Sequence, residues 1–175
     1  VPWWAYLPWV VLGGIVSYVV VALLLTRPWN GPRLRVYDKV DRYIHLLDGR
    51  DEQQAFVPFG MLLGWFVDTD MVSDDFRTEA GKQLERVRRR SLTGPKLYEW
   101  ADGVLTDDML SEVGDKFARH YVGGGGARYL QDFRRTLCSG EQSEFDVEDS
   151  WENYEKLKPI IDATLALWKS KRSLS

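Results

Sequence analysis

Cys138, His45 and His120 are the side chains best suited to nucleophilic or proton-transfer chemistry, and no motif beside them names a reaction. The sequence contains no G-x-S-x-G, H-E-x-x-H or C-x-x-C. A Cys138–histidine dyad is conceivable, but one cysteine and two histidines occur together by chance in most chains. His45, three residues beyond Arg42 and beside Ile44 and Leu46, reads as a packed or partly exposed helix residue. A single cysteine builds neither a disulfide framework nor a Cys-rich zinc site, and two histidines do not make a His-rich metal centre. Gly123 to Gly126 invites a phosphate-loop reading. The Lys-Ser/Thr that follows such a loop and the strand that precedes it are both missing, so a hinge between two helices is the better account. The expectation is therefore no catalytic residue, no metal and no cofactor.

Charge is more informative. Lys82, Arg86, Arg88, Arg89 and Arg90 form a basic run. It suits anionic lipid, an acidic partner, or the solvated face of a helix whose buried side carries Leu84, Val87 and Leu92. Residues 141–155 hold Glu141, Glu144, Asp146, Glu148, Asp149, Glu152 and Glu155 and no base. Their spacing does not match the twelve-residue calcium loop with its central glycine. Pairing with the arginine run, contact with a basic protein, or a solvated loop leading into an acidic helix start all remain open. The candidate interaction surface is Lys82, Arg86, Arg88, Arg89, Arg90, Glu141, Glu144, Asp146, Glu148 and Asp149.

These charges sit in a chain whose composition supports a folded core. Of 175 residues, 45% are hydrophobic and 28% charged, which excludes a disordered or collagen-like chain. Lys+Arg is 23 against Asp+Glu 26, a balance too acidic for general nucleic-acid binding.

The charges are also unevenly placed: none precedes Arg27. Trp9 to Leu25 is almost wholly apolar, and a helix of about 20 such residues spans the hydrocarbon of a bilayer. A buried core helix or a cleaved signal are the alternatives; the first lacks its polar face and the second its basic start and small-residue site. Residues 1–26 are accordingly expected to be a transmembrane helix, with Trp3, Trp4, Trp9 and Trp29 at the membrane interface. Arg27, Arg33 and Arg35 follow the span, so the positive-inside rule puts the N-terminus outside the inner membrane and the rest in the cytoplasm. A span upstream of Val1 would reverse that orientation. Gly13 and Ser17 offer a small-residue face for a homodimer.

Residues 27–35 read as a juxtamembrane linker, 36–170 as a helical domain and 171–175 as a tail. Tyr37, Val40, Ile44 and Leu47 suggest a helix over 36–47. The uncharged run 56–67 reads as a central buried helix, with Pro58 in its first turn and Gly60 and Gly64 permitting close approach. Ser73 caps a helix over 74–91, and a short one fits 95–102 with Leu97, Trp100 and Ala101 inward. Thr106-Asp107-Asp108 caps another reaching Tyr121, and 127–137 follows. A last helix begins near Asp149, with Glu152 reaching back, a stripe of Trp151, Tyr154, Leu157, Ile161, Leu165 and Trp168, and a kink at Pro159. The fold class expected is mainly α, one transmembrane helix followed by a compact multi-helix domain, without strands.

YDKVDRYIH at 37–45, FGMLLGWFVDTDMVS at 59–73 and EDSWENYEKLKPIIDATLALWK at 148–169 resemble a family of small bacterial helical domains of unknown function. That family opens on Tyr-Asp-Lys, carries a Gly-Met-x-Leu-x-Trp helix and ends on Trp-Glu-Asn-Tyr-x-Lys-x-Lys-Pro. The resemblance implies an immunity-like or accessory protein encoded near a bacterial toxin, and it assigns no chemistry. The chain departs from the family in its expected span, and in Val57-Pro58 where a histidine would stand near the glycine. The function expected is a membrane-anchored, non-catalytic interaction module that binds a toxin or effector. A structural or regulatory subunit of a membrane complex is the alternative, and an enzyme of unnamed chemistry is a third.

Overall fold

The structure, a computed structural model, describes residues 34–123, 127–140 and 142–173. They belong to one compact unit that starts at Leu34. Six α-helices and one two-stranded sheet make up the regular structure of the described residues.

The chain enters through strand β1 (Val36–Lys39), which pairs antiparallel with β2 (Val104–Thr106) across a bulge between Val36 and Asp38. The expected helix over 36–47 is therefore corrected to a strand followed by two short 3-10 turns, Val40–Arg42 and Ile44–Leu46. The Val40 N–H donates to the Gly103 carbonyl at 2.8 Å and the Asp107 N–H to the Arg35 carbonyl at 3.0 Å, so the backbone groups are satisfied across the sheet rather than along a helix. The expectation of no strands falls with it.

Helix α1 (Val57–Asp68) is the centre of the molecule. Every residue from Val57 to Val67 is buried, as an apolar run with no polar face requires. Pro58 sits in its first turn. Helix α2 (Asp74–Arg88) starts on Ser73, whose hydroxyl accepts from the Phe76 N–H at 3.1 Å, and buries Phe76, Ala80, Leu84 and Val87 at helical spacing. Helix α3 (Gly94–Trp100) lies against α1 where Gly60 and Gly64 face Gly94 and Pro95. Of the three residues expected to face inward here, Leu97 is buried, Ala101 half-buried and Trp100 exposed.

Helix α4 (Glu112–Tyr121) opens at Ser111, which accepts from the Gly114 N–H at 3.2 Å, not at Thr106. Thr106 belongs to β2, and the Asp107 carboxylate accepts from the Arg35 N–H at 3.0 Å, so both are held by the sheet. Helix α5 (Ala127–Leu137) buries Tyr129, whose hydroxyl donates to the Pro58 carbonyl of α1. Helix α6 (Trp151–Ser173) runs through Pro159 on its exposed side as one element and buries Tyr154, Leu157, Ile161 and Leu165. Its N-terminal N–H groups use Ser150, not Asp149: the Ser150 hydroxyl accepts from the Asn153 N–H at 3.3 Å. Trp65 of α1 donates its indole N–H to Asp162 of α6 at 2.8 Å, tying the last helix to the central one.

Among the described residues no helix is long and apolar enough to cross a membrane. The most apolar, α1, has 12 residues where about 20 are needed. The longest, α6, carries charge along its length, from Glu152 to Arg172. The expected single-pass fold and inner-membrane location are corrected accordingly: the described structure gives them no support. The assigned span 1–26, its interface residues Trp3, Trp4, Trp9 and Trp29, and the Gly13–Ser17 face lie outside the described residues, as do Gly124 to Gly126 and Glu141.

Candidate functional site

The end of α1, one face of α2 and the middle of α6 enclose an open groove of about 700 Å³ lined by Val67, Asp68, Asp70, Arg77, Arg88, Arg90 and Lys158. Arg77 and Arg88 are eleven residues apart, about three turns at 3.6 residues per turn, so α2 presents both on one side. Asp70, just past α1, takes the left-handed conformation at φ 57° that Asp tolerates better than most residues. Its carboxylate then meets both arginines: Arg77 at 3.1 Å and Arg88 at 3.0 Å. Arg77 also reaches Asp74 at 2.6 Å, and Arg88 reaches Glu85 at 3.5 Å. On the far wall Lys158 pairs with Asp162 at 2.6 Å.

Arg90 is the best-fixed cation of the groove. It follows α2 at φ 59° and donates to Asp68 at 2.8 Å and to Glu155 at 3.0 Å. Its guanidinium lies 4.1 Å over the Trp151 ring and 5.2 Å from that of Tyr154. Partial burial works against its charge, and the Asp68 hydrogen bond with the charges of Asp68 and Glu155 overcomes it, so its pKa is raised. Tyr154 donates its hydroxyl to the same Asp68 at 2.6 Å; burial first and that carboxylate second push its pKa up and keep it neutral.

The basic run is thus split where α2 ends, because Arg90 lies past the helix and turns back at φ 59°. Arg88 and Arg90 line the groove. Arg86 turns to Gln83 at 2.9 Å, Arg89 is 78% exposed with Glu85 at 3.4 Å, and exposed Lys82 makes no ion pair among the described residues. Leu84 and Val87 are buried beneath the run, as expected, while Leu92 is half-buried.

The acidic run is engaged elsewhere in the fold. Glu144 takes a two-point hydrogen bond from Arg134, one arm at 2.9 Å, and that bond holds its carboxyl below the ordinary value against partial burial. Asp146 accepts from Arg50 at 2.5 and 3.1 Å, which lowers its pKa likewise. Asp149 accepts the Thr93 hydroxyl at 2.7 Å; burial raises its pKa, and its second oxygen has no hydrogen-bond partner among the described residues. Glu148 is exposed, and its carbonyl accepts from the Asn153 amide at 3.0 Å. Among the described residues Arg90–Glu155 is the ion pair that joins the two runs.

Arg77, Lys158, Asp68, Asp70 and Trp151 belong to the site although the sequence did not mark them as contact residues. The three-turn spacing of Arg77 and Arg88 was a usable signal. Lys158 gave none, because only the packing of α6 on α1 brings it there. The residues with chemical potential stay apart. His45 is exposed on its 3-10 turn, and His120 contacts Arg128 at 3.2 Å. Burial raises the Cys138 thiol above its ordinary value, and among the described residues it bonds to neither histidine. No group of three or more metal-ligating side chains occurs among the described residues.

No curated protein and no solved structure matches the chain. One family model does: a domain of unknown function, DUF7832, over residues 36–147. The match takes in β1, all of α1 to α5 and every groove residue except Lys158 on α6. It covers more than half of the sequence, and the chain belongs to the DUF7832 family of domains of unknown function.

Proposed function

We propose that the chain is a non-catalytic protein-interaction module of the immunity-like kind, whose arginine groove takes an acidic segment of a toxin or effector. The observation that carries this reading is the groove itself, which gathers four cationic side chains on Asp68 and Asp70, with Asp74, Glu85, Glu155 and Asp162 pairing to them from around it. Arg90 is already stacked and hydrogen-bonded, so little side-chain entropy remains to be lost when a partner arrives. Arginine and tryptophan are the residue types that dominate interface energetics. The pairs that the groove makes with Asp74, Glu85 and Glu155 lie at the exposed rim, contribute little in water, and are the bonds an incoming carboxylate would exchange with. The toxin-or-effector identity of the partner rests on the family resemblance in the Tyr-Asp-Lys, Gly-Met-x-Leu-x-Trp and Trp-Glu-Asn-Tyr segments.

The test is fluorescence anisotropy of a labelled Glu- and Asp-rich peptide on the full chain. Saturable binding that weakens steeply with salt, and falls about tenfold in Arg88→Gln or Lys158→Gln, is the expected result. Equal binding by wild type and the Arg77→Gln/Arg88→Gln/Lys158→Gln variant would refute the groove as the contact surface.

A further inference from the structure

A second pocket, of about 450 Å³, lies away from the groove and is lined by Arg35, Val36, Tyr37, Arg42, Arg119, Val122 and Gly123. Its volume falls within the range of small-molecule sites. Three guanidinium groups from three places in the chain meet here: the residue before β1, the first 3-10 turn, and the last turn of α4. Asp115 is the carboxylate that pairs with their side chains among the described residues, and Asp107 accepts from the Arg35 backbone N–H at 3.0 Å. Asp115 is paired with Arg119 through both oxygens, takes the Tyr37 hydroxyl, and touches Arg35 only at 3.8 Å. Burial works to raise the Asp115 carboxyl, but the Arg119 and Tyr37 hydrogen bonds and the arginine charges overcome it, so it stays an anion and takes up one positive charge. Arg42 is exposed and makes no ion pair among the described residues; the buried Asp38 feels its charge without touching it. Arg35 is thus paired only at 3.8 Å and Arg42 has no ion pair among the described residues, and both line the pocket with the apolar Val36, 42% exposed, over the buried Val122.

We propose that this pocket binds a small organic phosphate monoester, with Arg35 and Arg42 on the phosphate and Val36 against the organic part. The charge decides between oxyanions. A phosphate monoester carries close to two negative charges at neutral pH and can engage both loosely paired guanidiniums, whereas a monocarboxylate brings one charge for the two. Guanidinium forks present paired N–H groups that suit phosphate oxygens, and the low-dielectric wall strengthens the attraction on one side. Val36 explains why the ligand is an ester and not the free ion: a large apolar side chain at the mouth of a charged pocket gains from being covered.

The test is isothermal titration of the full chain with phenyl phosphate, inorganic phosphate and phenylacetate. Phenyl phosphate should bind one-to-one and several-fold more tightly than inorganic phosphate. Arg42→Gln, at an exposed residue with no ion pair among the described residues, should weaken it about tenfold. Val36→Ser should weaken phenyl phosphate and leave inorganic phosphate unchanged. Arg88→Gln, in the groove, should change neither. Absence of saturable phenyl phosphate binding, equal affinity in wild type and Arg42→Gln, or phenylacetate binding as tightly as phenyl phosphate would each overturn the proposal.

Discussion

Arg90 and Trp151 hold each other in two ways: the guanidinium lies 4.1 Å over the indole, and the indole N–H donates to the Arg90 carbonyl at 3.1 Å. Arg90 lies inside the family-matched residues and Trp151 beyond them, so this contact fastens α6 to the domain at the groove. Trp151→Ala removes both interactions and is expected to cost about 2 kcal/mol in urea unfolding. Trp151→Phe keeps the ring under Arg90 and should cost about half of that. A Phe variant as unstable as the Ala variant would mean that the stacking contributes nothing.

The crossing of α1 and α3 depends on having no side chain at Gly60. A Cβ there would run into the Cα of Pro95 and lie 2.6 Å from its nitrogen, and both atoms are backbone. Neither helix can yield locally, so Gly60→Ala should destabilise by about 3 kcal/mol. Gly81→Ala is the control: nothing lies within 4 Å of its Cβ position, and an exchange inside α2 should stabilise by about 1 kcal/mol. Both are read from denaturant midpoints.

The helical frame was legible where side chains speak locally. The uncharged run of α1, the glycine pair at 60 and 64, the Ser73 cap and the stripe of α6 all carry their meaning within a few residues. The errors came where a distant partner decides. Tyr37, Val40 and Leu47 are buried as a helical stripe would bury them, yet Ile44 is exposed, because β1 pairs with a strand more than sixty residues away. Nothing in the sequence marks Asp38 as buried, and only the fold reveals it between two tyrosine hydroxyls. The basic run was visible as a run, but its division between groove and outer face depends on Asp70 and Lys158, which three separate elements bring together.

Asp38 is 1% exposed and accepts from Tyr43 at 2.6 Å and from Tyr98 at 2.8 Å. Asp38→Ala leaves two hydroxyls without their acceptor and should cost about 3 kcal/mol. Asp38→Asn offers an acceptor of the same shape with no buried charge, and should cost clearly less. An Asn variant as unstable as the Ala variant would show that the charge itself, not the acceptor, holds the site.

Acid should act on two carboxyls with opposite sign. Arg134 holds Glu144 below its ordinary value of 4.5, so its contribution is complete above that value and is lost as pH falls through the folded-state pKa. Arg134→Gln should therefore be less stable than wild type at neutral pH, with the gap closing as pH falls through the lowered folded-state pKa of Glu144. Burial raises Asp38 above 3.8, so the folded state binds that proton more tightly and this group adds stability as pH falls through its folded-state pKa. The acid-side gain should vanish in Asp38→Asn. Urea midpoints for the three chains across this range measure both effects; a gap between wild type and Arg134→Gln that is constant with pH would contradict the first.

The proposed role of the groove is to recruit a protein. Affinity capture with the full chain beside its Arg88→Glu/Lys158→Glu variant, from cells that make it naturally, tests this most directly. The expected result is one stoichiometric protein, bearing a contiguous acidic segment, that is retained by the wild type and lost from the variant. Retention by both chains, or by neither, would contradict it.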